Sequence, residues 1–352
     1  MDSLSQIVLG GAVAAVVVPA GHRRAALLAG AALGTLPDLD SLPIAWLTSD
    51  PVARMVWHRG LTHSLFVLPL VAWGLWAWFR RRGGRVAEAP RAWFWAILLA
   101  LVTHPLLDAF TVYGTQLWWP LPAHPAMGAS VFIIDPLYTV WLLIACSVAG
   151  CVPARPLARH ALVLGLAVST GYLGWSLAAK AVVDRAASAA LAPLGLADAP
   201  RFSTPTPFNT VLWRVAVMTP EGYLIGDRSV LADRGPMRFA PHASEVAALH
   251  AAAGVPAVEQ LRWFNRGFMR AQVHADAGGG QTLVLSDLRM GLEPHYNFNF
   301  AVARREGTGA GWQPLAPPQS VSPGPGAALS RQGVGDAWRG IWQRMWHAPP
   351  GG

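Results

Sequence analysis

The sequence predicts a mainly α protein: a polytopic helical membrane domain followed by a small α+β extramembrane domain. Three observations carry that prediction. Of 352 residues, 53% are hydrophobic and only 13% are charged, against about 25% charged in soluble proteins. The shortfall is concentrated in the first half, where apolar segments lie at about 5–20, 25–47, 61–79, 92–110, 131–150 and 161–183. From about residue 200 the apolar runs shorten, and strand-like and helix-like patterns alternate.

The first two segments are the weakest. The second is broken by Pro37, Asp38, Asp40 and Pro43, so the pair reads as two crossings or as a re-entrant hairpin. The third to sixth are long enough to span a hydrocarbon core, which takes about 20 helical residues. Arg23 and Arg24 fall in the first turn, Arg80, Arg81, Arg82, Arg85 and Arg91 in the third, and Arg155 and Arg159 in the fifth. The second turn has Arg54 and Arg59, and the fourth has no Lys or Arg. The positive-inside rule places the odd turns in the cytoplasm. The even turns, and everything after the sixth segment, then lie outside.

The formal net charge of +8 sits largely in these short turns. It therefore reads as a topology signal and not as a nucleic-acid surface. The 17 Trp suit membrane–water interfaces. Cys146 and Cys151 have neither metal-site nor disulfide spacing and read as packing residues. Asp2, with no basic residue before the first apolar run, argues against a secretory signal.

In the second half, Val211–Val217 and Tyr223–Val230 flank Thr219-Pro220-Glu221-Gly222 and read as a hairpin. Helices are expected at Ser244–Ala253 and Ala257–Phe264, and strands at Thr282–Leu288 and His295–Ala303. The domains are thus 1–183 in the membrane, 200–304 as an extracytoplasmic α+β domain, 305–333 as a Gly/Pro/Ser-rich flexible linker, and 334–348 as a Trp-rich amphipathic helix. In that last helix Trp338, Ile341, Trp342, Met345 and Trp346 share a face. It suits either the membrane interface or packing on the small domain.

Ionisable groups at the ends of apolar segments are costly and point to function. Asp38 and Asp40 lie near the outer end of segment two. His58 and His63 bracket Arg59-Gly60-Leu61-Thr62 in the outer turn, and His104 and Asp108 are four apart near the outer end of segment four. His and Asp are ligands for divalent metals. The i, i+4 spacing puts His104 and Asp108 on one helix face. Pro37 permits an irregular backbone that turns both carboxylates of the Asp pair inward. Gly60 suits a sharp turn, Thr62 suits a helix cap, and Arg59 offers a planar fork for an anionic group. Asp2, Asp135 and Tyr113 are candidates to support the ligands from a second layer. Asp135 before Pro136 equally suits a helix N-cap.

Together, Asp2-Ser3-Leu4, Leu36-Pro37-Asp38-Leu39-Asp40, His58-Arg59-Gly60-Leu61-Thr62-His63-Ser64, His104-Pro105-Leu106-Leu107-Asp108, Tyr113-Gly114-Thr115 and Asp135-Pro136-Leu137-Tyr138 resemble the bacterial membrane-bound metal-dependent hydrolase family of inner-membrane proteins. The resemblance spans about residues 1–183 and implies an inner-membrane hydrolase. Relatives often carry His where this chain has Gln6.

The expected function is metal-dependent hydrolysis of an amphiphilic substrate, a lipid phosphoester or ester, at the outer membrane interface. The metal is zinc, with manganese or magnesium as alternatives, held by some of Asp38, Asp40, His58, His63, His104 and Asp108. Asp40 is the expected general base and Arg59 the anion-binding residue. The alternative is a non-catalytic membrane protein with a structural metal or polar cluster and a partner-binding outer domain. A transporter would need polar groups near the midplane, not on one side. Expected partners are membrane lipids and the substrate, with no nucleic acid.

Overall fold

A computed structural model describes residues 1–276, 278–322 and 331–349. The chain forms two compact units. The first comprises Met1–Ile44, Trp57–Leu177 and Pro207–Asn209. The other described residues make up the second.

The helices are α1 (Ser3–Val17), α2 (Arg23–Thr35), α3 (Ser41–Leu47), α4 (Pro51–Trp57), α5 (Val67–Arg81), α6 (Arg85–Glu88), α7 (Pro90–Asp108), α8 (Pro136–Cys151) and α9 (Pro156–Leu191). Single 3₁₀ turns at Leu36–Asp40 and Leu61–His63 follow α2 and precede α5. Asp2 caps α1 by accepting from Ser5 N, and Asp135 caps α8 by accepting from Leu137 N and Tyr138 N. These short polar side chains satisfy amides that a helix N-terminus leaves without a partner.

Within the first unit, α1 and α2 pack backbone against backbone. A Cβ on Gly30 would lie 2.2 Å from Gly10 O, and one on Gly34 would lie 2.4 Å from Gln6 O. Glycine is required at this crossing because any side chain would push the helices apart. Leu9, Ala12, Trp93, Tyr138, Leu142 and Leu162 join the core that α1 shares with α7, α8 and the start of α9.

Two described helices are long and apolar enough to cross a membrane: Pro90–Asp108, and α9 with its 3₁₀ extension, Pro156–Leu194. Pro51–His63 and Val67–Arg81, bent by 54°, qualify together as a third. The sequence expectation was four full spans. Segments three and five fall short because α5 and α8 have 15 and 16 helical residues, about 22–24 Å of rise, against a core of about 30 Å. The stretch before α5 is spent on the 3₁₀ turn and on Ser64–Phe66, where the residue after the turn is extended.

The odd turns gather at one end of this unit. Arg23 Nη1 donates to Pro153 O at 2.6 Å, and Arg24 Nε donates to Gly150 O at 2.9 Å. His22 contacts Glu88 at 3.0 Å and accepts from Trp93 Nε1 at 3.1 Å. At the other end, Gln116 N donates to Arg59 O at 2.9 Å, and Leu65 N donates to Leu117 O at 2.9 Å.

In the second unit, β1 (Arg201–Pro205), β2 (Leu212–Thr219), β3 (Gly222–Ser229) and β4 (Ala240–Ala243) form one antiparallel sheet in the order β1-β2-β3-β4. Two helices follow, α10 (Val246–Ala251) and α11 (Pro256–Asn265), and then β5 (Met269–Ala275), β6 (Gln281–Asp287), β7 (Gly291–Leu292), β8 (His295–Tyr296), β9 (Asn299–Arg305) and β10 (Gln313–Ser320). The second sheet runs β10-β9-β6-β5, and β7 pairs with β8. Trp213, Val215 and Val217 pack against Ala179, Val183, Ala187 and Leu191 of the C-terminal part of α9.

Two sequence expectations need correction here. The strand at His295–Ala303 is interrupted, because Asn297 N donates to Met290 O and Asn299 Nδ2 donates to Tyr296 O. Part of the expected linker, Gln313–Ser320, is an edge strand on β9 with a register shift between Pro314 and Gln319. Proline lacks a ladder N–H, so this Pro-containing stretch is tolerated at an edge. Residues 323–330 of that linker lie outside the described residues.

The last helix, α12 (Arg331–Trp346), packs on the second unit. Met345 is buried, its carbonyl accepts from Ser229 Oγ at 2.6 Å, and Arg344 pairs with Asp233. Trp338, Trp342 and Trp346 are exposed.

Candidate metal centre

Two irregular stretches and one helix end build the site. The 3₁₀ turn after α2 carries Asp38 and Asp40. The turn before α5 carries His58, Arg59, Thr62 and His63. The end of α7 carries His104 and Asp108. Arg59, not Gly60, takes the left-handed conformation (φ +63°). Thr62 lies inside the 3₁₀ turn and caps no helix.

Asp38, His63, His104 and Asp108 each offer one ligand atom, and these atoms all lie within 4.8 Å of one another. His63 Nε2 and His104 Nε2 are 3.1 Å apart. Asp38 Oδ1 is 3.3 Å from the first and 3.4 Å from the second. Asp108 Oδ2 lies 3.4 Å and 3.5 Å from the same two atoms. Ligand bonds of about 2.0–2.2 Å in a tetrahedron give edges of about 3.4 Å, so these five separations suit one small cation. The side chains of His63, His104 and Asp108 are fully buried, while Asp38 is 27% exposed.

The surrounding hydrogen bonds decide where the histidine protons sit. His104 Nδ1 is 2.6 Å from Gly34 O. A carbonyl only accepts, so Nδ1 carries the proton and Nε2 presents its lone pair. Thr62 Oγ donates its single proton to Asp40 Oδ2 at 2.7 Å, so at 3.0 Å it accepts from His63 Nδ1. His63 Nε2 therefore also presents a lone pair. Asp38 Oδ1 and Asp108 Oδ2 are buried and accept no well-aligned hydrogen bond, with the Arg59 guanidinium beside Asp108 Oδ2. Four potential ligand atoms converge within 4.8 Å of one another. Two imidazolium N–H groups 3.1 Å apart would repel. A cation resolves the arrangement, and the donor chemistry fits one.

Asp40, His58, Arg59 and Tyr113 form the surroundings of this cluster, and Asp2 and Asp135 cap helices instead of supporting its ligands. Asp40 is fully engaged by His58 Nδ1 at 2.7 Å, Arg59 N at 3.2 Å and Thr62 Oγ. It stands behind the histidines, outside the group of four. His58 Nε2 lies 3.9 Å from Asp38 Oδ1, and the ring is 24% exposed. It stands at the rim, outside the group of four. Arg59 is buried, with Nε 3.1 Å from Asp108 Oδ2, Nη1 3.4 Å from Thr111 Oγ, and its guanidinium 4.8 Å from the Tyr113 ring. A buried cation must be paired, so Arg59 neutralises Asp108 and does not reach out for an anion. Tyr113 lies edge-on to His58 at 5.7 Å and belongs to the site. Asp2 and Asp135 serve as helix caps: Asp2 accepts from Ser5 Oγ at 2.5 Å, and Asp135 accepts from Tyr172 Oη at 2.9 Å.

Five further groups support the cluster. Gly34 supplies the carbonyl for His104. Thr111 supports Arg59. Gln6 Nε2 donates to Asp108 Oδ1 at 2.9 Å, and the Met1 amino group contacts the same oxygen. Thr62 links Asp40 to His63. Two of them carry a signal in the sequence: Thr62, between His58 and His63, and Gln6, where relatives often carry His.

No curated protein and no solved structure shows significant similarity to the chain. A family model described as YdjM inner membrane protein matches residues 1–183, the stretch that contains every group of this cluster. The chain belongs to the YdjM inner membrane protein family.

Proposed function

We propose that the protein is a multi-pass inner-membrane, zinc-dependent hydrolase that cleaves an amphiphilic ester or phosphoester at the outer membrane interface. One observation carries this reading: two imidazole nitrogens and two carboxylate oxygens converge, with five of their separations between 3.1 and 3.5 Å. Two imidazoles favour zinc over magnesium or manganese. The gathered odd turns, rich in Arg, support the cytoplasmic placement of that end. The cluster and the C-terminal domain then lie outside.

Asp38, His63, His104 and Asp108 would hold the ion. When bound, it supplies Lewis acidity that polarises the scissile group and activates a water. Asp40 orients His58 by accepting from Nδ1–H, which leaves His58 Nε2 free to take up a proton at the rim. This assigns the proton-accepting role to His58 in place of Asp40. Asp40 also orients His63 through Thr62. Arg59 holds Asp108 charged and in place. Leu36, Leu39, Trp57 and Leu61 are exposed apolar neighbours in sequence of Asp38 and His58, which supports a substrate with a hydrocarbon portion.

The second reading is a structural metal site with a partner-binding outer domain. Four protein ligands favour it, because catalytic zinc keeps a position open. Asp38, the exposed ligand, is the one that substrate would displace under the hydrolase reading. Purified protein assayed on a panel of lipid esters and phosphoesters separates the two. The hydrolase reading expects turnover that chelator and His104→Ala both abolish. A folded, metal-loaded protein inert on the whole panel would support the structural reading.

A further inference from the structure

At the end of the first unit where the odd turns gather, a cavity of about 420 Å³ opens between α2, α5 and α7. Its volume is within the ~300–1,000 Å³ typical of small-molecule sites. Its floor is made by Ala25, Ala29 and Ala32 of α2, whose small side chains recur on one helix face and leave the room. Leu33, Leu75 and Ile97 line it further from the arginine-rich turn. From Ala25 to Leu33 the helix rises about 12 Å, close to the ~15 Å depth of one leaflet's hydrocarbon.

The lining changes character at the α5–α6 turn, where Arg82 and Arg85 complete it. Both are exposed, and neither pairs with an acid among the described residues. Arg82 stacks over Trp78 at 4.3 Å, an interfacial arrangement that keeps its charge at the membrane surface. Glu88, the one acidic residue between Asp50 and Asp108, faces His22 instead. An apolar slot of leaflet depth, closed by two unneutralised guanidinium groups, matches a molecule with a hydrocarbon chain and an anionic head.

We propose that this groove binds an acidic phospholipid of the arginine-side leaflet, with an acyl chain along the alanine floor and the head-group phosphate at Arg82 and Arg85. Basic pockets between membrane helices recognise lipid heads in this way. The proposal does not depend on hydrolysis at the other end.

The test is native mass spectrometry of the full-length protein in detergent, titrated with phosphatidylglycerol or phosphatidylcholine of identical chains. Wild type is expected to retain phosphatidylglycerol at about tenfold lower lipid concentration than phosphatidylcholine. The double variant Arg82→Gln/Arg85→Gln should hold the two lipids equally. Ala32→Phe, which fills the groove, should weaken both; should that variant fail to fold, Leu75→Trp fills the same space from α5. Equal retention of both lipids by wild type would overturn the proposal. So would undiminished phosphatidylglycerol binding in the folded groove-filled variant, or displacement of the lipid by an equal concentration of glycerol 3-phosphate.

Discussion

Replacing Thr62 with valine removes one oxygen from the metal centre and leaves side-chain volume almost unchanged. That oxygen makes two bonds: it donates to Asp40 Oδ2 at 2.7 Å and accepts from His63 Nδ1 at 3.0 Å. Asp40 Oδ2 keeps the Arg59 amide at 3.2 Å, so the carboxylate is not stranded. His63 is fully buried and its Nδ1–H loses its partner. Leaving one buried donor unmet costs about 1–3 kcal/mol. Loss of a supporting partner behind a metal-binding histidine weakens metal binding about 10–100-fold, or about 1.4–2.8 kcal/mol. Competition between the protein and a zinc chelator of known affinity measures this. Thr62→Val should bind zinc 10–100-fold more weakly, and Thr62→Ser, which restores the hydroxyl, should recover most of the loss. Wild-type affinity in Thr62→Val would refute the proton assignment on which the metal centre rests. A serine variant as weak as valine would show that loss of the hydroxyl alone does not account for the effect.

Gly30→Ala places a Cβ 2.2 Å from Gly10 O, and backbone on backbone cannot yield without separating α1 from α2. Overpacking of this kind costs about 1–3 kcal/mol or more, read as a lower melting temperature in detergent. His58→Ala should leave bound metal unchanged while lowering hydrolytic turnover by about 10²–10⁴; loss of metal in that variant would place His58 among the ligands. In the second unit, burial and then the neighbouring Glu293 carboxylate push the Tyr223 phenol up to about 12. A phenol whose pKa is raised in the fold is more easily deprotonated in the unfolded chain. Its contribution is therefore complete below pH about 10 and is lost as pH rises towards about 12. Melting temperature measured from pH 9 to 12 should fall, and Tyr223→Phe should flatten that fall.

The buried Asp/His cluster is largely legible because it is written in residue types that membrane segments avoid. Asp38, His63, His104 and Asp108 stand out against apolar surroundings, and the i, i+4 spacing of the last two is realised on α7. Their roles were less legible. Asp38 and Asp40 look equivalent in Leu-Pro-Asp-Leu-Asp, and only the 3₁₀ turn turns one to the centre and the other to the histidines behind it. Arg59 reads as a surface fork, yet its left-handed backbone sends the guanidinium inward to Asp108. Gly34 offered no signal, since its contribution is a carbonyl that any residue has. The hairpin of β2 and β3 and both short helices followed from pattern. Strand β5 was missed even though Met269, Ala271 and Val273 alternate with Arg270, Gln272 and His274. The edge strand β10 was hidden because its prolines disguise a segment that pairs through one side only.

Metal content measured on purified protein tests the central claim most directly. The geometry predicts about one divalent ion per chain in wild type, lost in His104→Ala and in Asp108→Asn while both variants remain folded. Wild-type protein that takes up no divalent metal when supplied with it, or a folded His104→Ala with unchanged stoichiometry, would contradict it.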